Sequence, residues 1–315
     1  MTSIELSPVL QELRNEILQR QSIKCKEVNG IIHFGDTIDY ATNFGYQWQT
    51  FAKTQFDSQT GLTLTRDRLI EESEWELNEL KDKVVLELGS GAGRFTEVLL
   101  ETGANIVTVD MSSAIYANKD NNLKNNVLFL RGAIEDILQL GIKFDYVLCY
   151  GVAQHTRCPS QTYHDCVNLL AEGGKLSIDH YIKKIWPNRF YHPKYIWRPI
   201  TKRLPSKVLL QFIRSYMKIY LPCDMLLAKI RPFLLSDFIR GILPFPCWNY
   251  YRAPGIQQNY ENLYEWAVLD TFDALGAKYD LPASLREIES LAKELGLDFY
   301  NVKRGGNGVV LNGIK

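Results

Sequence analysis

Residues 84–95 read VVLELGSGAGRF, and their interpretation decides the fold. An aliphatic run of the kind found in buried strands ends at Glu87 and Leu88, and glycines follow at 89, 91 and 93. The string RFTEVLLET then has the composition of a helix. Glycine lets a backbone turn tightly and approach a ligand closely, while the first turn of a helix offers free N–H groups and a positive dipole end. A dinucleotide fingerprint requires its third glycine one position later, where Arg94 stands, which disfavours a nicotinamide dehydrogenase. The chain contains no G-x-x-x-x-G-K-[ST], so a phosphate-cradling loop of that type is excluded.

The same texture continues on the C-terminal side. NIVTVD (105–110), NVLFLR (126–131), FDYVLCYG (144–151) and GGKLSIDHY (173–181) are strand-like, with helical stretches between them. Strand and helix alternating at this spacing predict a doubly wound parallel α/β sheet, whose ligands bind outside the carboxyl ends of the strands. Near the C-terminus, helices over 260–275 and 283–296 precede LDFYNVKR, the turn GGNG and VVLNGI, which read as an antiparallel hairpin. At the N-terminus an amphipathic helix over 5–20, with Ser7 as its cap, precedes a second hairpin turning at Asn29-Gly30.

Asp110 closes the strand after the glycine loop, where a carboxylate can accept both hydroxyls of a ribose. Together, VVLELGSGAGRFTEVL, NIVTVDMSSA, FDYVLCYGVAQHT and LLAEGGKLSID resemble the class I S-adenosylmethionine-dependent methyltransferases, over about residues 83–181 and 284–313. The resemblance implies a seven-stranded Rossmann-like sheet with its last strand antiparallel, and S-adenosylmethionine as cofactor. By the same resemblance, Glu87, Gly89, Gly91 and Gly93 line the methionine part of the cofactor, and Asp110 holds the ribose. Met111 packs on adenine, and Tyr150 and Gly151 sit beside the methionine moiety and its methyl group. Similar enzymes carry an Asp where Ala133 stands, which leaves Ile134 and Glu135 to serve the adenine corner.

Methyl transfer is an in-line displacement that depends mostly on holding two reactants in line in a dry site. A base is needed only where the nucleophile loses a proton, and His155, just past the fourth strand, is the candidate. Asp179 and His180 end the fifth strand and point in opposite directions, so one of them faces the site as a second catalytic candidate. The stretch 44–58, FGYQWQTFAKTQFDS, resembles a segment ahead of the glycine loop in a less characterised branch of these enzymes, and Tyr46, Gln47 and Trp48 are expected to close over the cofactor. Asp270, Asp273 and Tyr279 fit the same branch.

Residues 180–223 contain ten Lys or Arg and no acid, in a chain that balances 36 basic residues against 36 acidic ones. Three regions follow from this map: an appendage over 1–80, a catalytic domain over 81–181 and 259–315, and a basic helical cap insertion over 182–258. Within the insertion, Leu209, Phe212, Ile213, Tyr216 and Tyr220 share one helical face, while Gln211, Arg214, Ser215 and Lys218 share another. The insertion is expected above the ligand crevice, receiving a small or lipid-linked anionic acceptor or touching a membrane surface. O-methylation is favoured.

The near-zero net charge and the absence of an N-P-P-Y motif disfavour nucleic acid as acceptor. A second class of reading is a catalytically silent cofactor-binding protein, for which Ala133 speaks. Six cysteines with neither C-x-x-C nor a histidine at ligand spacing predict no metal site and no disulfide framework. Without a signal-peptide pattern or a long apolar run, the expected location is cytoplasmic, with peripheral membrane contact as the variant.

Overall fold

The computed structural model describes residues 5–20, 23–35, 42–183, 194–227 and 259–315. Parts of the expected insertion, 184–193 and 228–258, lie outside the described residues. The chain divides into two compact units, one of residues 1–52, 63–183 and 279–315, the other of residues 53–62 and 184–278. The first therefore takes in most of the N-terminal appendage together with 81–181 and 279–315 of the expected catalytic domain, while 259–278 fall in the second.

The first unit is built on one sheet of nine strands: β1 (Cys25–Val28), β2 (Ile31–Phe34), β3 (Val84–Leu88), β4 (Asn105–Val109), β5 (Val127–Arg131), β6 (Phe144–Cys149), β7 (Leu170–Tyr181), β8 (Phe299–Arg304) and β9 (Gly308–Ile314). Their order is β1-β2-β5-β4-β3-β6-β7-β9-β8. The seven expected strands run from β5 to β8, and β9 is antiparallel to both β7 and β8. The N-terminal hairpin adds two more, because β2 pairs in parallel with β5. Asn29 and Gly30 take φ of +52° and +67°, as a two-residue turn between right-twisted strands requires.

Helices cover both faces of this sheet. They are α1 (Pro8–Gln19) and α2 (Thr42–Thr50), then, beyond α3 (Asp57–Thr60) of the second unit, α4 (Leu64–Ser73), α5 (Arg94–Leu100), α6 (Ala114–Asn122), α7 (Ile134–Gln139) and α8 (Pro159–Asn168). Alternation along the strands sorts the core. Leu86, Val107, Leu128 and Val147 pack with Leu10 and Ile17 of α1, Ile137 of α7 and Tyr163 and Cys166 of α8. Val85, Ile106, Phe129 and Tyr146 pack with Leu69 of α4, Val98 of α5 and Ile115 of α6. Burial on both faces explains why these strands read as continuous apolar runs rather than alternating ones.

The second unit contains α3, α9 (Lys194–Thr201), α10 (Ser206–Leu227) and α11 (Tyr260–Gly276), while α12 (Leu285–Ala292) belongs to the first. On α10 the buried stripe is Leu209, Leu210, Ile213, Met217, Tyr220 and Leu221, whereas Phe212 is 48% exposed. The face read from the sequence is thus rotated, since side chains of comparable hydropathy flank it on both sides and packing against α11 selects among them. Two of the basic residues have local work. Arg198 donates to the carbonyls of Ala274 and Ala277 at 2.8 and 2.7 Å, at the negative end of α11. Arg214 makes a two-pronged pair with Glu265 at 2.8 and 2.9 Å. No described helix is long and apolar enough to cross a membrane.

Candidate functional site

The glycine loop leaves β3 with Gly89, Gly91 and Gly93 at φ of +65°, +57° and +92°, a region that L side chains rarely adopt. Each glycine also permits a close approach. A Cβ on Gly89 would lie 2.2 Å from Val152, one on Gly91 3.0 Å from the indole nitrogen of Trp48, and one on Gly93 2.0 Å from Asn118 Oδ1. Val152 therefore locks the loop after β6 onto the glycine loop, and Trp48 lays α2 across it. Gly45 of α2 meets Ser113 at the start of α6 just as closely. The segment expected to act as a lid packs on the glycine loop and on the first turn of α6.

Asp110, the residue expected to hold the ribose, closes the glycine loop. Its Oδ2 accepts the N–H of Gly91 at 2.9 Å, and its Oδ1 accepts the N–H and hydroxyl of Ser112 at 2.8 and 2.6 Å. Of about four acceptor positions on a carboxylate, three are used, which leaves one beside the loop for a ribose hydroxyl. Glu87 is buried beneath the loop, where Oε2 accepts the Thr96 hydroxyl. Its Oε1 is buried with no hydrogen-bond partner among the described residues. Burial, with the Asp110 charge adding to it, pushes the Glu87 pKa up to about 8. Asn118 joins Thr96 and Thr108 at 3.0 and 2.9 Å, and Asn122 ties Asn118 to the Gly93 carbonyl. Among the described residues, Glu87 Oε1 and the loop's own Ser90 Oγ are the atoms here left buried without a partner.

Met111 and Ile134, expected at the adenine corner, are both half-buried. At Ala133 no side chain can accept a hydrogen bond, and its N–H donates to Asp136 at 2.8 Å. A Cβ on neighbouring Gly132 would lie 3.0 Å from Phe34, so the N-terminal hairpin borders this corner.

The loop after β6 carries the residues expected beside the methionine moiety. Tyr150 is buried, and its hydroxyl meets Ser177 Oγ at 2.7 Å. Gly151 takes φ of +74°, with nothing within 4 Å of where a Cβ would stand. His155 Nδ1 lies 2.8 Å from the Tyr279 carbonyl. A carbonyl only accepts, so Nδ1 carries the proton and Nε2 the lone pair. The ring sits between Phe44 of α2 and Tyr181, at 5.1 and 5.2 Å.

Asp179 and His180 diverge, as strand geometry requires. Asp179 turns to the α4 side, where it accepts from Arg68, from Asn307 at 2.8 Å and from the N–H of Gly151. His180 turns to the α8 side, donating from Nε2 to the Leu281 carbonyl at 2.8 Å with Tyr163 on its other nitrogen, and burial pushes its pKa below the ordinary value. Both side chains thus spend their hydrogen bonds inside the protein.

Sequence reasoning did not single out Arg68, Glu72, Asn307 or Gln154. The i, i+4 spacing of Arg68 and Glu72 was the one available signal for that pair. Gln154 is fully buried, and among the described residues neither atom of its side-chain amide has a partner, although its carbonyl accepts the Leu281 N–H at 2.9 Å.

Residues 86–176 match the family model described as a methyltransferase domain. A ubiquinone biosynthesis O-methyltransferase of Coxiella burnetii is 32% identical over 100 residues, which is 31% of this chain and 43% of the relative. A tRNA U34 carboxymethyltransferase of Campylobacter fetus is 32% identical over 104 residues, 32% of this chain and 37% of the relative. A ubiquinone biosynthesis O-methyltransferase of Erwinia tasmaniensis is 25% identical over 190 residues, covering 58% and 74%. The chain spans less than half the length of the first two relatives. The strand order with its one reversed strand, the glycine loop closed on Asp110 and the match over residues 86–176 agree, and those residues form a methyltransferase domain of the class I S-adenosylmethionine-dependent kind.

Proposed function

We propose that this chain transfers a methyl group from S-adenosylmethionine to an oxygen of a small or lipid-linked anionic acceptor. The observation that carries the reading is the glycine loop closed by the Gly91 to Asp110 hydrogen bond, above a buried carboxylate oxygen of Glu87 that lacks a partner among the described residues. These residues fit the cofactor: Asp110 retains one acceptor position for a ribose hydroxyl, and Glu87 retains one for a cationic or N–H donor. Bound there, S-adenosylmethionine supplies an electrophilic methyl on a sulfonium centre. The chain's own part is to hold the ribose at Asp110, to exclude water with α2 and Trp48, and to take the acceptor's proton at His155 Nε2.

Calorimetric titration with S-adenosylmethionine and S-adenosylhomocysteine tests the reading, and binding of neither would sink it. For the acceptor, the relatives named for ubiquinone biosynthesis support a small molecule. The fourteen Lys or Arg against two Asp over residues 181–255 support an anionic one. Methylation of tRNA in preference to small phenolic acids would overturn that part. Peripheral membrane contact belongs to the same reading, supported by Ile219 and Leu226 of α10, 73% and 65% exposed beside exposed Lys218. Failure to co-sediment with vesicles rich in phosphatidylglycerol would remove it.

A further inference from the structure

Behind the loop that follows β6 lies a buried ionic cluster from three remote parts of the chain. Arg68 of α4 donates from Nη2 to Asp179 Oδ2 on β7 and from Nε to Glu72 Oε2 at 3.1 Å. Its guanidinium carbon stands 5.4 Å from the Tyr150 ring centroid and 5.6 Å from that of Phe95. Asn307, in the turn between β8 and β9, donates to the same Asp179 oxygen at 2.8 Å. Glu72 Oε1 accepts the N–H of Gly306 in that turn at 2.6 Å. The other Asp179 oxygen accepts the N–H of Gly151. Tyr150 is tied to the cluster a second way: its hydroxyl bonds Ser177, Ser177 bonds Asn312 at 2.6 Å, and Asn312 donates to the Glu72 carbonyl at 2.8 Å.

One side of this loop is thus fully bonded, while the Cα of Gly151 faces open space on the other. We infer that Arg68 is a positioning residue for the methionine half of the cofactor site, acting through Asp179 on the peptide that joins Tyr150 to Gly151. The inference rests on the function proposed above. It adds a contribution from outside the matched residues 86–176, since Arg68, Glu72 and Asn307 all lie beyond them. The role requires arginine. A planar fork reaches Asp179 and Glu72 in fixed directions while its face covers Tyr150, whereas the point charge of lysine cannot meet all three.

The test compares two ligands that share adenosine and differ in the amino-acid tail. Affinities for S-adenosylhomocysteine and for 5′-methylthioadenosine are measured by calorimetry on wild type, Arg68→Lys and Asn307→Ala, with thermal midpoints alongside. Arg68→Lys is expected to weaken S-adenosylhomocysteine tenfold or more and to change 5′-methylthioadenosine less than twofold. Asn307→Ala, a milder change in a turn that keeps the inference testable should Arg68→Lys not fold, is expected to lose a few-fold with the same selectivity. Equal loss for both ligands, or an unchanged affinity for S-adenosylhomocysteine, would overturn the inference in favour of a purely structural cluster. A wild-type protein that binds neither ligand overturns the methyltransferase reading and this inference with it, an outcome distinct from any variant effect.

Discussion

The two ends of the candidate site are built in different ways. At the glycine-loop end, Glu87, the three glycines, Thr96 and Asp110 come from 24 consecutive residues, and the closing bond from Gly91 to Asp110 spans 19 positions. At the other end, the loop after β6 is held by Arg68, Asp179, Tyr279 and Leu281, with separations of 111 positions between Arg68 and Asp179 and 124 between His155 and Tyr279. A site half made from one strand–loop–helix unit can be recognised as a word in the sequence. A half made from contacts between distant elements forms only once the sheet has closed around it.

The contrast can be broken most forcefully at the glycines. Gly93→Ala drives a methyl group into Asn118 at a positive φ, and is expected to cost about 3 kcal/mol or more of stability. Gly151→Ala meets nothing within 4 Å and is expected to cost only about 1 kcal/mol of backbone strain. Urea unfolding of both variants measures the difference, and equal losses would mean that the two loops are equally constrained.

Asp110→Asn leaves one of its two oxygens replaced by a donor facing the N–H groups of Gly91 or Ser112. S-adenosylhomocysteine affinity should fall about 30-fold, or about 2 kcal/mol, by calorimetry. A loss below threefold would separate Asp110 from ligand binding.

Glu87 gives the glycine-loop end a pH signature of its own. Unfolded, its carboxyl ionises above its ordinary value of 4.5, whereas in the fold it keeps a proton up to about 8. Between these values the folded state binds more protons, so stability of the ligand-free protein should fall as pH rises, by about 1.4 kcal/mol per pH unit from this group. Glu87→Gln should flatten that slope, and an unaltered slope in the variant would assign the effect elsewhere.

The smallest effect is expected at Gln154, in the loop after β6. Replacing its buried amide by leucine should stabilise the ligand-free protein by about 1 kcal/mol while lowering the rate of methyl transfer. Destabilisation would show that water already satisfies the amide.

Much of this site was legible before folding, and the limits are physical. Three glycines at fixed offsets and an acid at the end of the next strand are a local pattern, set by what a tight turn and a parallel sheet demand. The Asn29-Gly30 turn was equally plain, yet its parallel attachment through β2 to β5 was not, because the register depends on which edge remains open. The apolar face of α10 was misplaced around Phe212, since hydropathy alone cannot say which of two adjacent stripes a neighbouring helix covers. Asp179 reads in the sequence as a catalytic candidate at the end of its strand. Its partners Arg68 and Asn307 lie 111 and 128 positions away and share no periodicity with it.

By itself the sequence determined the alternating strands and helices and the glycine turn between them, because each follows from short-range sterics and the 2.0 and 3.6 periodicities, while the kind of cofactor followed from the resemblance of its motifs to a known family. The tertiary structure alone decided which buried charges meet and which face of the loop after β6 is held. Pairing between distant side chains is chosen by the closed sheet and by the cost of leaving a buried charge alone, and neither is written in neighbouring residues.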